Sequence, residues 1–556
     1  MIGIKPRGDE RSVGPNSTCG NATPQSCLEP VRVIRGLPRD YPVIENRGDG
    51  PLSGLRRWIS RWHNCPQAAY NLGRLCGLAG AGECCLRTVL HWFRRDFRVL
   101  DNTALAAAAR LGDAVVTVFC IDTRWFTAST GKTGAYQAAF WLTSLKELSA
   151  ALADLNIPLK ILTTADPVQA ILGLAKSLDV RTITLNREYE PAQIAQDQRL
   201  AREAENRGVD IKSFKDGVIF EAFEILTGSE NPYTIFSPYK RAWLAKLGQS
   251  PVQNAGLPAK SPVTSISSDP IPDLESLGYP AVTLPIPTGQ RGAAALLDTF
   301  IRNKIKFYHK DRDIPAVPGV SQLSAHLAAG TISIRQCVAA AVNQGAMTGN
   351  GGAETWLSEL IWREFYRMVL YHYPHTCHSA FQKKYEHLTW ENKPELIAAW
   401  CQARTGYPIV DAAIRQIQQT GWMHNRLRMI AAMFLTKDLD THWRIGEQLF
   451  MQWLMDYDQA SNVGGWQWSA GTGTDAAPYF RVMNPILQAQ RFDPDGTFVK
   501  RFIPELANVP RDFIHTPWEM PPLLQSQCGC IVGQDYPARI VNHATARIQA
   551  IAKFRA

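Results

Sequence analysis

From residue 88 the chain alternates short apolar runs with longer stretches of helical periodicity. The runs TVLHWF, AVVTVFCI, IPLKILT and VRTITLN are continuous and apolar enough to form buried strands. The segments DNTALAAAARL, 134–154 and 167–178 between them have the pattern of helices, the first capped by Asp101 or Asn102. Strands and helices that alternate in this way predict a Rossmann-like α/β domain, with a parallel sheet covered by helices on both faces.

The pattern changes twice further along the chain. Residues 249–290 are rich in Pro, Ser and Gly, and almost everything after them has helical periodicity. We therefore expect an α/β domain at 86–220, a long linker at 221–291 and an all-α C-terminal domain at 292–556. Residues 1–85 have little hydrophobic periodicity, so they are interpreted as an extension, either disordered or translated from too early a start site.

Composition narrows the function only slightly. The 556 residues are 45% hydrophobic and 20% charged, without a secretory core or an apolar run near the ~20 residues that span a bilayer. We expect a monomer in the cytoplasm, near the nucleoid in a bacterium, with no membrane partner. The net charge of +9 fits either simple solubility or a polyanion such as DNA. None of the 12 cysteines has the paired spacing of a zinc site, so no metal is expected.

Two helical segments carry candidate chemistry. In WLSELIWREFYR, the side chains of Trp356, Glu359 and Arg363 share one face, with Trp362 beside them. This face suits either a pocket for a planar ligand or an internal Glu–Arg pair at a helix interface.

The second segment is GWMHNRLRM, residues 421–429. Its shared face suits a phosphate or a base, the alternative being a solvated helix surface. Arg428 points elsewhere and is suited to pair with Asp456 or Asp458. The residues of the shared face are Trp422, Asn425, Arg426 and Met429.

The stretch GGWQWSAGTGTDAAPYF, residues 464–480, has too many glycines for an ordinary helix, and Asp475 does not suit a strand core. We interpret it as a wall against something that is not protein. The chain also holds 16 tryptophans, which either fill the core or carry electrons.

These runs, with ELIWREFYR, TGYPIVDAAIRQ and LHWFRRDFRVLDNTAL, resemble the cryptochrome/photolyase family over residues 87–550. They are most similar to the class I cyclobutane pyrimidine dimer photolyases. The resemblance implies a helical domain that binds FAD and a cavity that takes a pyrimidine dimer flipped out of DNA. It places the flavin contacts on Tyr308, Val320, Ser321, Gln322, Leu323, Ser324, Trp356, Asn425, Arg428, Asp456, Tyr457, Asp458 and Asn462. Gln322 departs from the family, which often has Arg or Lys there.

The resemblance also assigns roles around the flavin. It places Asn462 opposite the flavin N5, and electron transfer along Trp466, Trp443 and Trp390 from flavin to surface. The catalytic set that holds the dimer would be Glu359, Trp362, Met429 and Trp468, together with Asn462 at the flavin. DNA contacts at the cavity mouth would come from Arg312, Glu359, Trp362, Arg363, Tyr366, Asn425, Arg426 and Gln488.

A second, light-harvesting chromophore is left open by the residues. The run NREYEP matches the family's antenna strand, but Ala192 and Gln193 stand where folate-binding members usually have Asn and Glu. Cys377 matches a folate-side position, whereas His378 replaces the usual lysine. Methenyltetrahydrofolate, a deazaflavin, a flavin or no antenna therefore all stay open.

The function implied is repair of cyclobutane pyrimidine dimers by an electron from photoexcited, reduced FAD. The alternative is a cryptochrome-type blue-light photoreceptor, a signalling protein without turnover on damaged DNA. Asn462 favours repair, because plant cryptochromes usually carry an acid and animal ones a cysteine at this position. Met429 stands where the (6-4) photolyases place a second histidine.

Overall fold

A five-stranded parallel sheet of order β3-β2-β1-β4-β5 forms the N-terminal part of the protein in a computed structural model that describes residues 86–555. The strands are β1 (Thr88–Phe93), β2 (Ala114–Asp122), β3 (Leu159–Thr164), β4 (Thr182–Asn186) and β5 (Asp210–Phe214). The first four coincide with the apolar runs, which confirms the predicted α/β fold. The sequence DIKSF of β5 has no buried position, so no apolar run marked it. The predicted extension at 1–85 lies outside the described residues.

Helices cover both faces of this sheet. They are α1 (Thr103–Leu111), α2 (Ala135–Ala153), α3 (Pro167–Ser177) and α4 (Pro191–Glu205). Within β1, Val89 and Phe93 pack into one core, and Leu90 and Trp92 pack into the core on the opposite face. This alternation is what the two-residue period of a strand requires when both faces are buried. Asn102 is the residue that caps α1, through a bond of 3.1 Å from the Leu105 amide.

The segment predicted as linker, 221–291, contains a helix, α5 (Phe236–Gln249), which was not predicted from the sequence. Its buried residues Phe236, Tyr239, Trp243 and Leu247 recur at helical spacing. Residues 250–288 are irregular apart from one short turn at Glu275–Leu277, as their Pro, Ser and Gly content predicts.

The remainder is helical, as predicted, and belongs to the same compact unit as the sheet. Its helices are α6 (Gly289–Asn303), α7 (Tyr308–Asp311), α8 (Ser324–Ala329), α9 (Ile334–Asn343), α10 (Gly351–His372), α11 (Pro394–Cys401), α12 (Pro408–Thr420), α13 (Asn425–Met433), α14 (Trp443–Trp453), α15 (Gln459–Ala470), α16 (Pro485–Phe492), α17 (Thr497–Phe502), α18 (Pro522–Cys528) and α19 (His543–Arg555). A π-helical turn, Phe434–Asp438, follows α13. Across 86–555, no helix is both long and apolar enough to cross a membrane.

Buried charges join the sheet to the helices. Arg98, just after β1, lies 2.6 Å from Asp216, and Arg335 of α9 lies 2.8 Å from the same carboxylate. Burial alone would raise the pKa of Asp216, but the two guanidinium groups outweigh it and lower that pKa to about 2. The ionised carboxylate therefore fixes α9 to the segments that follow β1 and β5.

Candidate functional site

A cavity of about 510 Å³ opens between α10, α13 and α15. Residues that are far apart in the chain meet around it, and most of the predicted site residues are among them. Those that line it are Tyr308, Arg312, Val320, Ser321, Gln322, Leu323, Ser324, Trp356, Glu359, Trp362, Arg363, Tyr366, Asn425, Arg428, Met429, Asp456, Asp458, Asn462, Trp466 and Trp468. Their proximity is a finding, whereas their individual roles stay predictions.

Glu359 of α10 does not form the internal pair with Arg363 that the sequence left open. Its carboxylate is 2.5 Å from Nη1 of Arg312, which follows α7. Burial raises the pKa of Glu359, and Arg312 opposes this shift. Arg363 instead donates to the carbonyl oxygens of Gly217 at 2.9 Å and Leu327 at 3.1 Å. Two of its donors are thus engaged inside the protein, and its contact with DNA stays a prediction.

Trp362 is held flat against another ring. Its indole stacks on Phe236 of α5 at a centroid separation of 3.7 Å and an interplanar angle of 8°. The carboxylate of Asp475 accepts a bond of 3.0 Å from the Phe236 amide, so this lone aspartate binds the first turn of α5. Sequence reasoning missed Phe236, and only the helical spacing of apolar residues over 236–247 could have indicated it.

The glycine-rich stretch begins inside a helix, α15, over residues 464–470, although its glycines do not suit an ordinary helix. Asp458 caps α15, accepting a bond of 3.0 Å from the Ser461 amide. A Cβ on Gly464 would lie 2.3 Å from the Tyr366 ring, so glycine permits close packing of α15 on α10. A Cβ on Gly465, by contrast, would meet nothing within 4 Å, and this residue lines the cavity. Gly464 thus allows α15 to pack closely on α10, and Gly465 leaves space in the cavity.

The bounds of α13 differ from the helical face predicted for residues 421–429. It begins after His424, which caps it, so Trp422 precedes the helix. Arg428 enters the cavity and lies 2.7 Å from Asp456, one of its two predicted partners. Arg426 points out of the cavity.

The Arg426 side chain reaches a neighbouring groove of about 740 Å³, which it lines with Gln488, Arg481, Arg491 and Arg547. Its guanidinium group lies 2.7 Å from Asp313 and packs 4.4 Å from the centroid of the Phe492 ring. Arg426 and Gln488 thus lie beside the cavity instead of in it.

Three other predicted residues also lie outside the cavity lining. The first is Tyr457. Its pKa is raised, mainly because the side chain is buried and also because the carboxyl groups of Glu447 and Glu190 are near. Trp443 is buried and Trp390 is half-buried, and the His442 ring lies 5.6 Å from each of theirs.

Several features of the cavity fit a flavin nucleotide. Oδ1 of Asp456 and Nε1 of Trp466 are buried without a hydrogen-bond partner within the described residues. Such atoms cost stability unless a ligand satisfies them. A cavity of this size, with aromatic walls and a few convergent polar groups, is typical of cofactor sites.

Of the residues at the predicted antenna position, Cys377 is buried and His378 is exposed. Burial raises the pKa of the Cys377 thiol to about 11. Oε1 of Gln193 is also buried, without a partner in the described chain. The identity of an antenna stays a prediction.

Comparison with known proteins agrees with this arrangement. Residues 89–260 match the family model of DNA photolyase, and residues 356–556 match the FAD binding domain of DNA photolyase. The deoxyribodipyrimidine photo-lyase of Escherichia coli is 40% identical over 481 residues, which cover 85% of this chain and 99% of that protein.

Solved structures are similar throughout. A class III photolyase of Agrobacterium tumefaciens has a TM-score of 0.76 at 34% identity, covering 86% of this chain and 99% of that one. A Synechocystis cryptochrome has a TM-score of 0.75 at 27% identity, and the match covers 84% of this chain and 99% of that one. A photolyase of Sulfolobus tokodaii with two FAD molecules has a TM-score of 0.70 at 29% identity, and the match again covers 84% of this chain and 99% of that one. With its FAD-binding domain and photo-lyase relatives that it matches along almost their whole length, the chain is a member of the DNA photolyase family.

Proposed function

We propose that the protein repairs cyclobutane pyrimidine dimers in DNA under blue or near-UV light. The observation that carries the proposal is the shared cavity: the residues predicted to hold FAD, all but Tyr457, and those predicted to hold the dimer line the same space. These residues would hold FAD, which in its reduced form would supply the light-driven electron transfer that splits the ring of the dimer, with no net redox change.

The protein's own part is to bind and orient the lesion. Trp362, held flat by Phe236, and Trp468 offer indole surfaces on which the two flipped bases can stack. Flipping costs a few kcal/mol, less for a damaged pair, and stacking on an aromatic ring returns about 1–3 kcal/mol per base. Damage is then selected without any reading of the sequence.

Glu359 is the group proposed to bond the dimer. Burial raises the pKa of its carboxyl group, so Glu359 takes up a proton more readily than an exposed glutamate, and the protonated group can donate a hydrogen bond to negative charge that develops on a base carbonyl. Arg312 orients it from the side of α7. Arg426 and Gln488, in the adjoining arginine-lined groove, are suited to hold backbone phosphates. Because DNA is the substrate, the proposed place of action is the cytoplasm, at the nucleoid in a bacterium.

The test uses purified protein with bound FAD, chemically reduced in the dark and mixed with a thymine-dimer oligonucleotide. We expect dimer loss under blue light and none in darkness. Glu359→Ala should lose most of this activity, whereas Glu354→Gln, on the exposed side of the same helix, should keep it. Absence of dimer loss with FAD bound and reduced would refute the proposal and favour the photoreceptor alternative.

A further inference from the structure

The last turn of α19 lies over Trp390, the residue predicted to form the surface end of the electron path. Nζ of Lys553 is 4.6 Å from the centroid of the Trp390 ring, and the Phe554 ring lies 6.4 Å from it. Trp390 itself is half-buried. A cation in this place is attracted by the electrons of the indole ring, so the C-terminal helix sets a positive charge against a ring that is expected to lose an electron.

Asp440 holds this cation in place. Lys553 and Asp440 form an ion pair, and both side chains are partly buried. Asp440 lies between the π-helical turn and α14, and its main-chain carbonyl oxygen accepts a bond of 3.3 Å from the amide of Asn392. Asn392 follows Trp390 by two residues, so the pair ties α19 to the segment that carries the indole. The position of the cation is therefore built into the fold.

Other groups near Trp390 have a weaker effect on its ring. Glu391 and Lys393 pair with each other at 2.7 Å and are both about half exposed, so water and salt screen them. The His442 ring lies 5.6 Å from that of Trp390. Burial and nearby cations lower the pKa of His442, so this ring is neutral at about pH 8. The ion pair of Lys553 thus dominates the charge at this indole.

We propose that Lys553 opposes the last step of electron transfer along the tryptophans and so limits photoreduction of FAD. This rests on the proposed function, in which FAD occupies the cavity and Trp466, Trp443 and Trp390 form the electron path. One electron leaves Trp390, passes through the other two tryptophans and is taken up at FAD, so Trp390 remains as a radical cation and no proton moves. The attraction between Lys553 and the ring then becomes a repulsion, of which Asp440 offsets a part.

Two substitutions change the charge at this indole in opposite directions. Lys553→Met removes the cation, keeps most of the aliphatic chain and leaves the anion of Asp440. Asp440→Asn leaves the cation without its anion, and asparagine tolerates the left-handed backbone of this position, where φ is 48°. Both variants break the same ion pair, so a mere loosening of α19 would change them in the same direction. Lys393→Met, which removes an exposed lysine three residues from Trp390, controls for net charge.

The measurement is the lifetime of the tryptophan radical cation after a blue laser flash, followed by its transient absorbance at about pH 8. The sample is protein with oxidised FAD and no DNA. We expect the lifetime to be about threefold longer in Lys553→Met and about threefold shorter in Asp440→Asn than in the wild type, with Lys393→Met unchanged. Under steady blue light with dithiothreitol, which returns an electron to Trp390, the yield of reduced FAD should follow the same order. Trp390→Phe should remove the long-lived radical.

Changes in the same direction in Lys553→Met and Asp440→Asn, or no change in either, would overturn the proposal. An equal change in Lys393→Met would assign the effect to net charge and overturn it as well. A radical lifetime that Trp390→Phe leaves unaltered would show that the path does not reach this indole. Repair of dimers by pre-reduced protein is a separate assay, so its failure would contradict the proposed function without altering the result of the flash experiment.

Discussion

Substitution of Arg367 by methionine should destabilise the helix that carries Asn462, Trp466 and Trp468. Arg367 of α10 lies 2.8 Å from Asp458, and both side chains are buried. Burial would raise the pKa of Asp458, but Arg367 and then Arg363 and Arg95 together lower it. Asp458 is also the N-cap of α15, so its charge is placed where the helix begins.

The loss in free energy of unfolding follows from the buried Asp458 carboxylate that remains in Arg367→Met without its partner. Removal of one partner of a buried ion pair costs about 3–5 kcal/mol, because the other charge stays buried. Asp458 keeps its bond from the Ser461 amide and two more distant arginines, so we expect the lower end, about 3 kcal/mol. With an unfolding entropy of about 2.1 cal/mol/K per residue over roughly 470 residues, this lowers Tm by about 3 °C.

The assay is thermal unfolding at fixed FAD concentration, with Arg415→Met as the matched control. Arg415 pairs with Glu505 at 2.8 Å but is partly exposed, so its loss should cost less than about 1 kcal/mol. Adding Asp458→Asn to Arg367→Met should restore most of the stability, because asparagine removes the unpaired charge and still caps the helix.

The pH dependence has a definite sign. A depressed carboxyl pKa contributes stability above the unfolded value of about 3.9, and this is lost only as pH falls through the folded pKa. In Arg367→Met, Asp458 takes up its proton at a higher pH, so the deficit against the wild type should shrink as pH falls toward about 4. A deficit no larger than that of Arg415→Met, or no recovery with Asp458→Asn, would refute the reasoning.

Three further outcomes are expected. Trp466→Phe should slow photoreduction of oxidised FAD, followed by its absorbance, but leave repair by pre-reduced protein largely intact; loss of both would contradict the assigned roles. Gly446→Ala would place a Cβ 2.0 Å from the Trp466 ring and cost about 1–3 kcal/mol in unfolding, whereas Gly465→Ala should weaken FAD binding at unchanged stability. Repair by pre-reduced protein should fall as pH rises through the raised pKa of Glu359, and Glu359→Gln, which donates without titrating, should abolish that dependence.

Local pattern was enough for most of the fold. The four apolar runs are the three central strands, β2, β1 and β4, and the edge strand β3 of a sheet whose helices cover both faces. The central strands are almost wholly buried, so their sequences are continuously apolar. The local pattern of hydrophobic residues did not reveal β5, which has no buried residue, or α5, which lies beside a segment rich in Pro and Ser. It failed again for α15, where glycine indicates close packing of helices instead of a loop.

The candidate site was predictable as a set of residues but not as a set of bonds. Helical spacing placed Glu359 next to Arg363, yet the pair that forms joins Glu359 to Arg312, 47 positions away. Asp458 and Arg367 are separated by 91 positions. Nothing local distinguishes these partners, because ion pairs between elements depend on how the helices cross.

The charges around the cavity explain why it can be formed before any ligand arrives. Three carboxylates in its wall, on Glu359, Asp456 and Asp458, each pair with an arginine from another element. Each pair joins separate segments, and breaking the buried pair of Arg367 and Asp458 leaves a charge stranded in the interior. The walls are therefore fixed by the protein itself, and little binding energy need be spent on ordering them. The carboxylates paired with arginine hold the shape of the site.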